Sequence, residues 1–170
     1  LWRVHHDASL ATEASDQHFQ PVTTDCDRQG SGFRPMCGLC GEVTFDESPV
    51  DGAAISRMAD SLAPRGPDGN GMLIRGRAGL AHRRLTIIDL SNRAEQPMVD
   101  SALGLSIAFN GCIYNYPELR AELQGIGYEF FSSGDTEVLI KAYHAWGPDF
   151  VERLNGMFAF AILERDSGRL

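Results

Sequence analysis

Lysine and long uncharged stretches are nearly absent from this chain. Of 15 basic residues among 170, fourteen are Arg, and Lys141 is the only lysine. The 23 acidic residues leave a formal net charge of -8, which excludes a protein that binds nucleic acid through clustered positive charge. The longest apolar run, residues 156–163, is far shorter than the roughly 18 residues of a membrane-spanning helix. We therefore expect neither a nucleic-acid partner nor a membrane partner.

Cysteine is also too sparse for a disulfide-stapled fold. The chain has four: Cys26, Cys37, Cys40 and Cys112. This usage is typical of a reducing compartment, and we expect a cytoplasmic protein. The 43% of hydrophobic and 22% of charged residues are typical of a globular domain with a real core.

The character of the chain changes near residue 36. Residues 1–35 hold three of the five histidines and show no apolar period. They also lack the basic and apolar segments of a secretory signal. We interpret residues 1–36 as a disordered or misassigned leader that includes an initiator, Met36. Residues 37–170 would then form one domain that is incomplete at its C-terminal end.

Apolar periodicity and turn residues predict an α+β fold after Cys37. The pattern predicts helices over residues 51–62, 116–125 and 136–146, with Asp51 as the first N-cap. It predicts strands over residues 39–45, 72–74, 78–82, 85–88, 105–109 and 157–163. Such an order favours helices that cover packed antiparallel sheets.

Cys37 is the first candidate for chemistry. Removal of Met36 would leave a free α-amine beside its thiol, and that amine could take the thiol proton. The alternative is a small apolar residue of the first strand. Cys37 and Cys40 also have C-x-x-C spacing, a weaker zinc or redox alternative, since Cys26 and Cys112 are isolated and residues 41–45 continue as a strand.

Three further segments each allow two interpretations. Asn110-Gly111 is a hairpin-turn signal, but its amide and N–H groups could also form an oxyanion hole. The run His82-Arg83-Arg84-Leu85 is either a solvated basic corner or the source of a carboxylate clamp. Asp135 is either the N-cap of the helix that follows or the receptor of a ligand ammonium.

In combination, these motifs resemble one family. The ordered blocks are Met36-Cys-Gly, Arg65-Gly-Pro-Asp-Gly69, Ala81-His-Arg-Arg-Leu-Thr-Ile-Ile-Asp-Leu90, Gln96-Pro-Met98, Phe109-Asn-Gly-Cys-Ile-Tyr-Asn-Tyr116, Gly134-Asp-Thr-Glu137 and Leu154-Asn-Gly-Met-Phe-Ala-Phe160. Together they resemble the class II glutamine amidotransferase domain of asparagine synthetases, an N-terminal-nucleophile hydrolase. Residues 109–115 are most similar to the N-acetylglutaminylglutamine amidotransferase branch. The resemblance extends over residues 36–170.

The resemblance implies an αββα sandwich and a role for each site residue. Cys37 matches the nucleophile, and Asn110 and Gly111 match the oxyanion hole. The α-carboxylate of glutamine would be bound by Arg84, in a pocket lined by Leu85, Ile87 and Ile88. Asp135 would receive the α-ammonium. Cys112 stands where the family more often has Glu, which changes the charge near that ammonium.

The implied activity is a glutaminase that supplies ammonia to an ATP-dependent synthetase domain absent from this chain. No cofactor is expected in this segment, and ATP and Mg²⁺ would belong to the synthetase domain. The acceptor, aspartate or a dipeptide, stays open, and a homodimer is compatible with the sequence. The alternative is a non-catalytic module of the same fold that binds glutamine or a partner without a free N-terminal cysteine.

Overall fold

The strands of the described residues form two β-sheets. The computed structural model describes residues 2–5, 37–46, 48–85 and 95–170. In the first sheet the strand order is β1-β2-β4-β3, and in the second it is β5-β6-β7. The strands are β1 (Trp2–His5), β2 (Gly38–Thr44), β3 (Gly69–Arg75), β4 (Ala78–Arg84), β5 (Met98–Asp100), β6 (Leu105–Ile113) and β7 (Gly156–Glu164). All pairs are antiparallel except β1 with β2.

Three α-helices connect these strands, and their starts follow from local sequence. They are α1 (Gly52–Ser61), α2 (Tyr116–Gly125) and α3 (Asp135–Trp146), and a 3₁₀ segment, Gly147–Arg153, follows α3. Asp51 is the N-cap of α1, as predicted, and its Oδ1 accepts the N–H groups of Ala53 and Ala54 at 2.9 and 3.0 Å. No helix in the described part of the chain is long and apolar enough to cross a bilayer.

The buried apolar side chains form three clusters, one between the two sheets and one under the helices on each outer face. Helix α1 packs on the outer face of the first sheet through Ile55 and Ala59, which meet Cys40 and Ala81. Helices α2 and α3 cover the outer face of the second sheet. The inner faces meet through small and branched residues: Ala78, Leu80, Ala108, Ala161 and Leu163. The expected αββα sandwich is therefore confirmed.

The predicted turn at Asn110-Gly111 is wrong. Strand β6 runs on to Ile113 and pairs without interruption with β7, so that Gly111 lies opposite Phe158. Gly111 has φ +152°, and a Cβ there would overlap the carbonyl oxygen of Met157. The absence of a Cβ at Gly111 therefore allows β6 and β7 to approach closely at this point.

The edge strands β1 and β7 come from segments of different sequence character. Residues 2–5, inside the segment interpreted as a leader, form β1 beside β2. The apolar run at residues 157–163 lies in β7, as predicted, and Met157 is 68% exposed, whereas Leu163 is 1% exposed. Of the strand predicted at residues 85–88, Leu85 follows the end of β4, and the rest lies outside the described residues.

Candidate active site

Cys37 lies immediately before β2, beside the end of β4. Its half-buried sulfur is 3.2 Å from the backbone nitrogen of Leu85 and 3.4 Å from the Leu85 carbonyl oxygen. Strand pairing explains this contact, because Gly38 lies opposite Arg83 in the antiparallel β2–β4 register. The candidate nucleophile is thus adjacent to the segment predicted to bind a carboxylate.

The second thiol of the C-x-x-C pair has a different environment. Cys40 is fully buried against α1, and its thiol faces the Ile55 carbonyl oxygen at 4.0 Å. Burial raises the pKa of the Cys40 thiol. The described residues contain no group of three or more potential metal ligands. The separate placement of Cys37 and Cys40 argues against the zinc or redox alternative.

Adjacent arginines on β4 serve opposite faces of the first sheet. Arg83 turns towards α1, where its Nε donates to the Ala59 carbonyl oxygen at 3.0 Å and its guanidinium pairs with Asp60. Side chains alternate along a strand, so Arg84 shares the inner face with His82. The positive charge of Arg84 acts on His82 and helps to lower its pKa, after the larger effect of burial. Arg84 is therefore the arginine directed between the sheets.

The predicted oxyanion residues lie on β6, across from this end of β4. Alternation places Asn110 and Cys112 on the same inner face as Ala108, and both are half-buried. Burial raises the pKa of the Cys112 thiol, and the nearby charge of Asp135 raises it further. The thiol at this position is therefore neutral around pH 7.

Asp135 is the first residue of α3, so the prediction that it is the N-cap is wrong. Gly134 occupies the cap position. The Asp135 carboxylate, only 4% exposed, instead accepts the backbone N–H of Ile113 on β6 at 3.1 Å. Burial raises the pKa of Asp135, partly offset by backbone N–H groups such as that of Ile113. Among the described residues, no cationic side chain lies within ion-pair distance of Asp135.

Contacts between elements bring the predicted residues together. Sγ of Cys37 meets Leu85 after β4, Nε2 of His82 on β4 meets the Phe109 oxygen on β6 at 2.9 Å, and Ile113 meets Asp135. This series of contacts links the four segments that carry seven predicted residues: Cys37, Arg84, Leu85, Asn110, Gly111, Cys112 and Asp135. Ile87 and Ile88, predicted to line the pocket, lie outside the described residues.

Sequence reasoning missed two side chains at this end of the sandwich. The basic run includes His82, but it predicted no role for this side chain, although the spacing of two residues from Arg84 places both on one face of the strand. The motif that contains Gln96 predicted no role for it either. Its Oε1 accepts the Phe109 N–H at 2.6 Å, and its Nε2 is 3.4 Å from Oγ1 of Thr136.

Comparison with known proteins shows the family of this chain. Residues 36–170 match the family described as "Glutamine amidotransferase domain". The chain belongs to this family. Among curated relatives, "Asparagine synthetase [glutamine-hydrolyzing] 3" of Bacillus subtilis (strain 168) is 38% identical over 130 residues, which are 75% of this chain and 21% of the relative. "Asparagine synthetase B [glutamine-hydrolyzing]" of Escherichia coli (strain K12) is 42% identical over 135 residues, which are 77% and 24%.

The glutamine amidotransferase domain thus spans about a fifth to a quarter of the curated relatives it matches. Among solved structures, a glutamine phosphoribosylpyrophosphate amidotransferase from B. subtilis aligns with a TM-score of 0.45 and 25% identity over 54% of this chain and 22% of that chain. At this TM-score the likeness does not decide the fold, which follows from the two facing sheets described above.

Proposed function

We propose that this domain hydrolyses the side-chain amide of glutamine and delivers the ammonia to an ATP-dependent synthetase domain. The observation that carries the proposal is the series of contacts that links the segments of the seven predicted residues. These residues come from four separate segments of the chain, and the contacts at Leu85, Phe109 and Asp135 join those segments. Family membership supports the same reaction.

The reaction assigns a bond change to each step. The Cys37 sulfur attacks the amide carbon, and the side-chain amide of Asn110 and the N–H of Gly111 stabilise the oxyanion that forms. The C–N bond then breaks, and the nitrogen leaves as ammonia with the proton that the thiol gave up. Water next attacks the γ-glutamyl thioester, which releases glutamate and restores the thiol.

Substrate recognition in this proposal uses two charges of opposite sign. The Arg84 guanidinium offers two parallel N–H donors to the α-carboxylate of glutamine. Leu85 is assigned to the pocket lining in this proposal, together with Ile87 and Ile88, which lie outside the described residues. Asp135 receives the α-ammonium, and because Cys112 is neutral, the negative charge at this subsite comes from Asp135.

Activation of the nucleophile requires a free α-amine on Cys37 in this proposal. Such an amine has a pKa of about 7.7–8.0, suitable for accepting the thiol proton near neutral pH. While residues 1–36 precede Cys37, its nitrogen is a peptide amide with no basic lone pair. We therefore expect activity only after that segment is removed.

The synthetase step is assigned to a second domain. The matched relatives are named as glutamine-hydrolysing asparagine synthetases, and this domain matches a fraction of their length. We assign ATP and Mg²⁺ to the synthetase domain and place the protein in the cytoplasm. The ammonia acceptor stays open between aspartate and a dipeptide, because the synthetase domain would select it.

An ammonia-release assay on two forms of the chain tests the proposal. One form begins at Leu1 and the other at Cys37, and the second is also made as Cys37→Ala and, for a matched control, Cys40→Ala. We expect glutamine-dependent ammonia only from forms with an exposed, intact Cys37. Equal release by Cys37→Ala would contradict the proposed nucleophile. Glutamine binding without any Cys37-dependent release would favour the non-catalytic module.

A further inference from the structure

Two side chains hold the backbone of β6 immediately before Asn110. Phe109 is buried, its carbonyl oxygen accepts a hydrogen bond from His82 Nε2 at 2.9 Å, and its N–H donates to Gln96 Oε1 at 2.6 Å. The first bond fixes the peptide that links Phe109 to Asn110. The second fixes the peptide before it. The backbone that leads into the proposed oxyanion residues is therefore held at two successive peptide groups.

The bond from His82 also defines its tautomer. A carbonyl oxygen only accepts, so Nε2 carries the proton and Nδ1 does not. The ring is 1% exposed, and Nδ1 has no hydrogen-bond partner among the described residues. An unpaired buried nitrogen is unfavourable, and an apolar side chain would fill this volume without it. Packing alone therefore does not explain a histidine here.

The neutral state of this ring is also well defined. Burial lowers the pKa of His82 to about 4, and the charge of Arg84 acts in the same direction. At neutral pH the ring therefore carries no charge beside the Arg84 guanidinium. It serves as a single N–H donor to β6 without repelling the cation proposed to bind substrate.

Gln96 reaches β6 because β3 makes room for it. Gly71 lies opposite His82 in the β3–β4 register, and a Cβ on Gly71 would overlap the Gln96 carbonyl oxygen. The Gln96 side chain also meets Thr136, the neighbour of Asp135 on α3. Gln96 thus touches the strand that carries the oxyanion residues and the helix that carries the ammonium receptor.

We propose that His82 and Gln96 are positioning residues for the glutaminase. They fix the Phe109 backbone so that Asn110 and Gly111 present their donors where the oxyanion forms. Neither residue touches the substrate in this proposal, which rests on the proposed function. Small displacements of such donors lower the rate strongly, because their benefit depends on preorganised geometry.

Paired substitutions separate this role from packing. In the form that begins at Cys37, His82→Leu removes the N–H donor, and His82→Gln keeps one near the position of Nε2. We expect His82→Leu to lower kcat about tenfold with KM changed by less than about twofold. His82→Gln should recover most of the loss. Gln96→Leu should reproduce the kcat effect, and it carries the same test if His82→Leu does not fold.

A double-mutant cycle with Asn110→Ala gives the decisive readout. If His82 acts through Asn110, adding His82→Leu to Asn110→Ala lowers kcat little further. Independent losses that multiply would overturn the positioning role. An unchanged kcat in folded His82→Leu and Gln96→Leu, with a slow Asn110→Ala, would overturn it and leave the proposed function standing. An unaffected Asn110→Ala would overturn the oxyanion assignment and this inference together.

Discussion

Two carboxylates near the start of α3 have opposite surroundings. Glu137 is fully buried, and its Oε1 lies 3.2 Å from Nζ of Lys141, which also pairs with Asp100 at 2.9 Å. Backbone N–H groups of residues 131 and 132 complete the surroundings of Glu137. We call Asp100, Glu137 and Lys141 the buried ion network. Asp135, on the same helix, is also buried but has no cationic partner among the described residues.

The contrast is between a carboxylate that is paired within the fold and one whose proposed partner is a ligand. In the buried ion network, one ammonium pairs with both carboxylates and further donors bond to Glu137, so the network ties α3 to β5 without a ligand. At Asp135 the described residues remove water from a carboxylate and supply N–H donors but no cation. An uncompensated buried carboxylate is unfavourable for stability, and functional sites are where proteins retain such groups. A bound α-ammonium would supply the missing charge.

Lys141→Ala should give the largest loss of stability. It would leave Asp100 and Glu137 buried without their cation, and breaking a buried pair in this way costs about 3–5 kcal/mol. Urea titration measures the free energy of unfolding. Arg153→Ala is the matched control, because it breaks an exposed pair with Glu122 worth about 0–1 kcal/mol. Similar losses in both variants would contradict the structural role of the buried ion network.

Asp135→Asn should act in the opposite way, on binding and not on stability. Removing a charged hydrogen-bond partner worth about 1.5–3 kcal/mol raises KM for glutamine about 10- to 100-fold. Burial raises the folded-state pKa of Asp135, so its contribution to stability is present at low pH and is lost as pH rises through that pKa. At pH 7 the neutral variant should therefore melt at the same or a higher temperature. A lower melting temperature with unchanged KM would make Asp135 structural.

Substitutions of the two adjacent arginines should also separate substrate binding from structure, with a smaller change in KM for glutamine. Arg84→Lys keeps the charge but loses one of two parallel bonds to the substrate carboxylate, so KM should rise about 3- to 10-fold. Arg83→Lys is the matched control, since Arg83 contacts Ala59 and Asp60 on α1. Its KM should not change. If Arg83→Lys raised KM and Arg84→Lys did not, the assignment of faces on β4 would be wrong.

The smallest expected effect is on the pH dependence of binding. An ammonium favours the ionised form of Asp135, so KM should rise as pH falls through the raised pKa, by at most about tenfold per pH unit. Asp135→Asn should lack this dependence. The comparison is made over the range in which both proteins stay folded. Identical pH profiles would assign the titration to another group.

Local signals predicted the helices well and the strand pairing less well. Asp51 and Pro117 mark the starts of α1 and α2 through interactions within one turn, which sequence alone reveals. Asn110-Gly111 carries an equally local turn signal, yet pairing with β7 extends β6 through it. Lys141 gave no signal of burial, because its partners include Asp100 from a distant strand.

In the candidate site, too, residues within short motifs could be predicted from the sequence, whereas contacts between distant segments could not. The motif resemblance identified residues such as Cys37 and Asp135 by position, because each motif is short and contiguous. It did not reveal that His82 and Gln96 meet at Phe109, since three separate segments supply that contact. Nor did it show that Asp135 bonds to β6 instead of capping its own helix. Such contacts depend on the assembled sandwich.

The most direct test of the proposed glutaminase is to trap its covalent intermediate. The form that begins at Cys37 is mixed with glutamine, quenched in acid and analysed by intact mass and peptide mapping. The proposal predicts one γ-glutamyl group in thioester linkage on Cys37, absent from Cys37→Ala and formed in the first turnover at least as fast as ammonia is released. Ammonia release with no adduct on Cys37, or an adduct confined to Cys112, would contradict it.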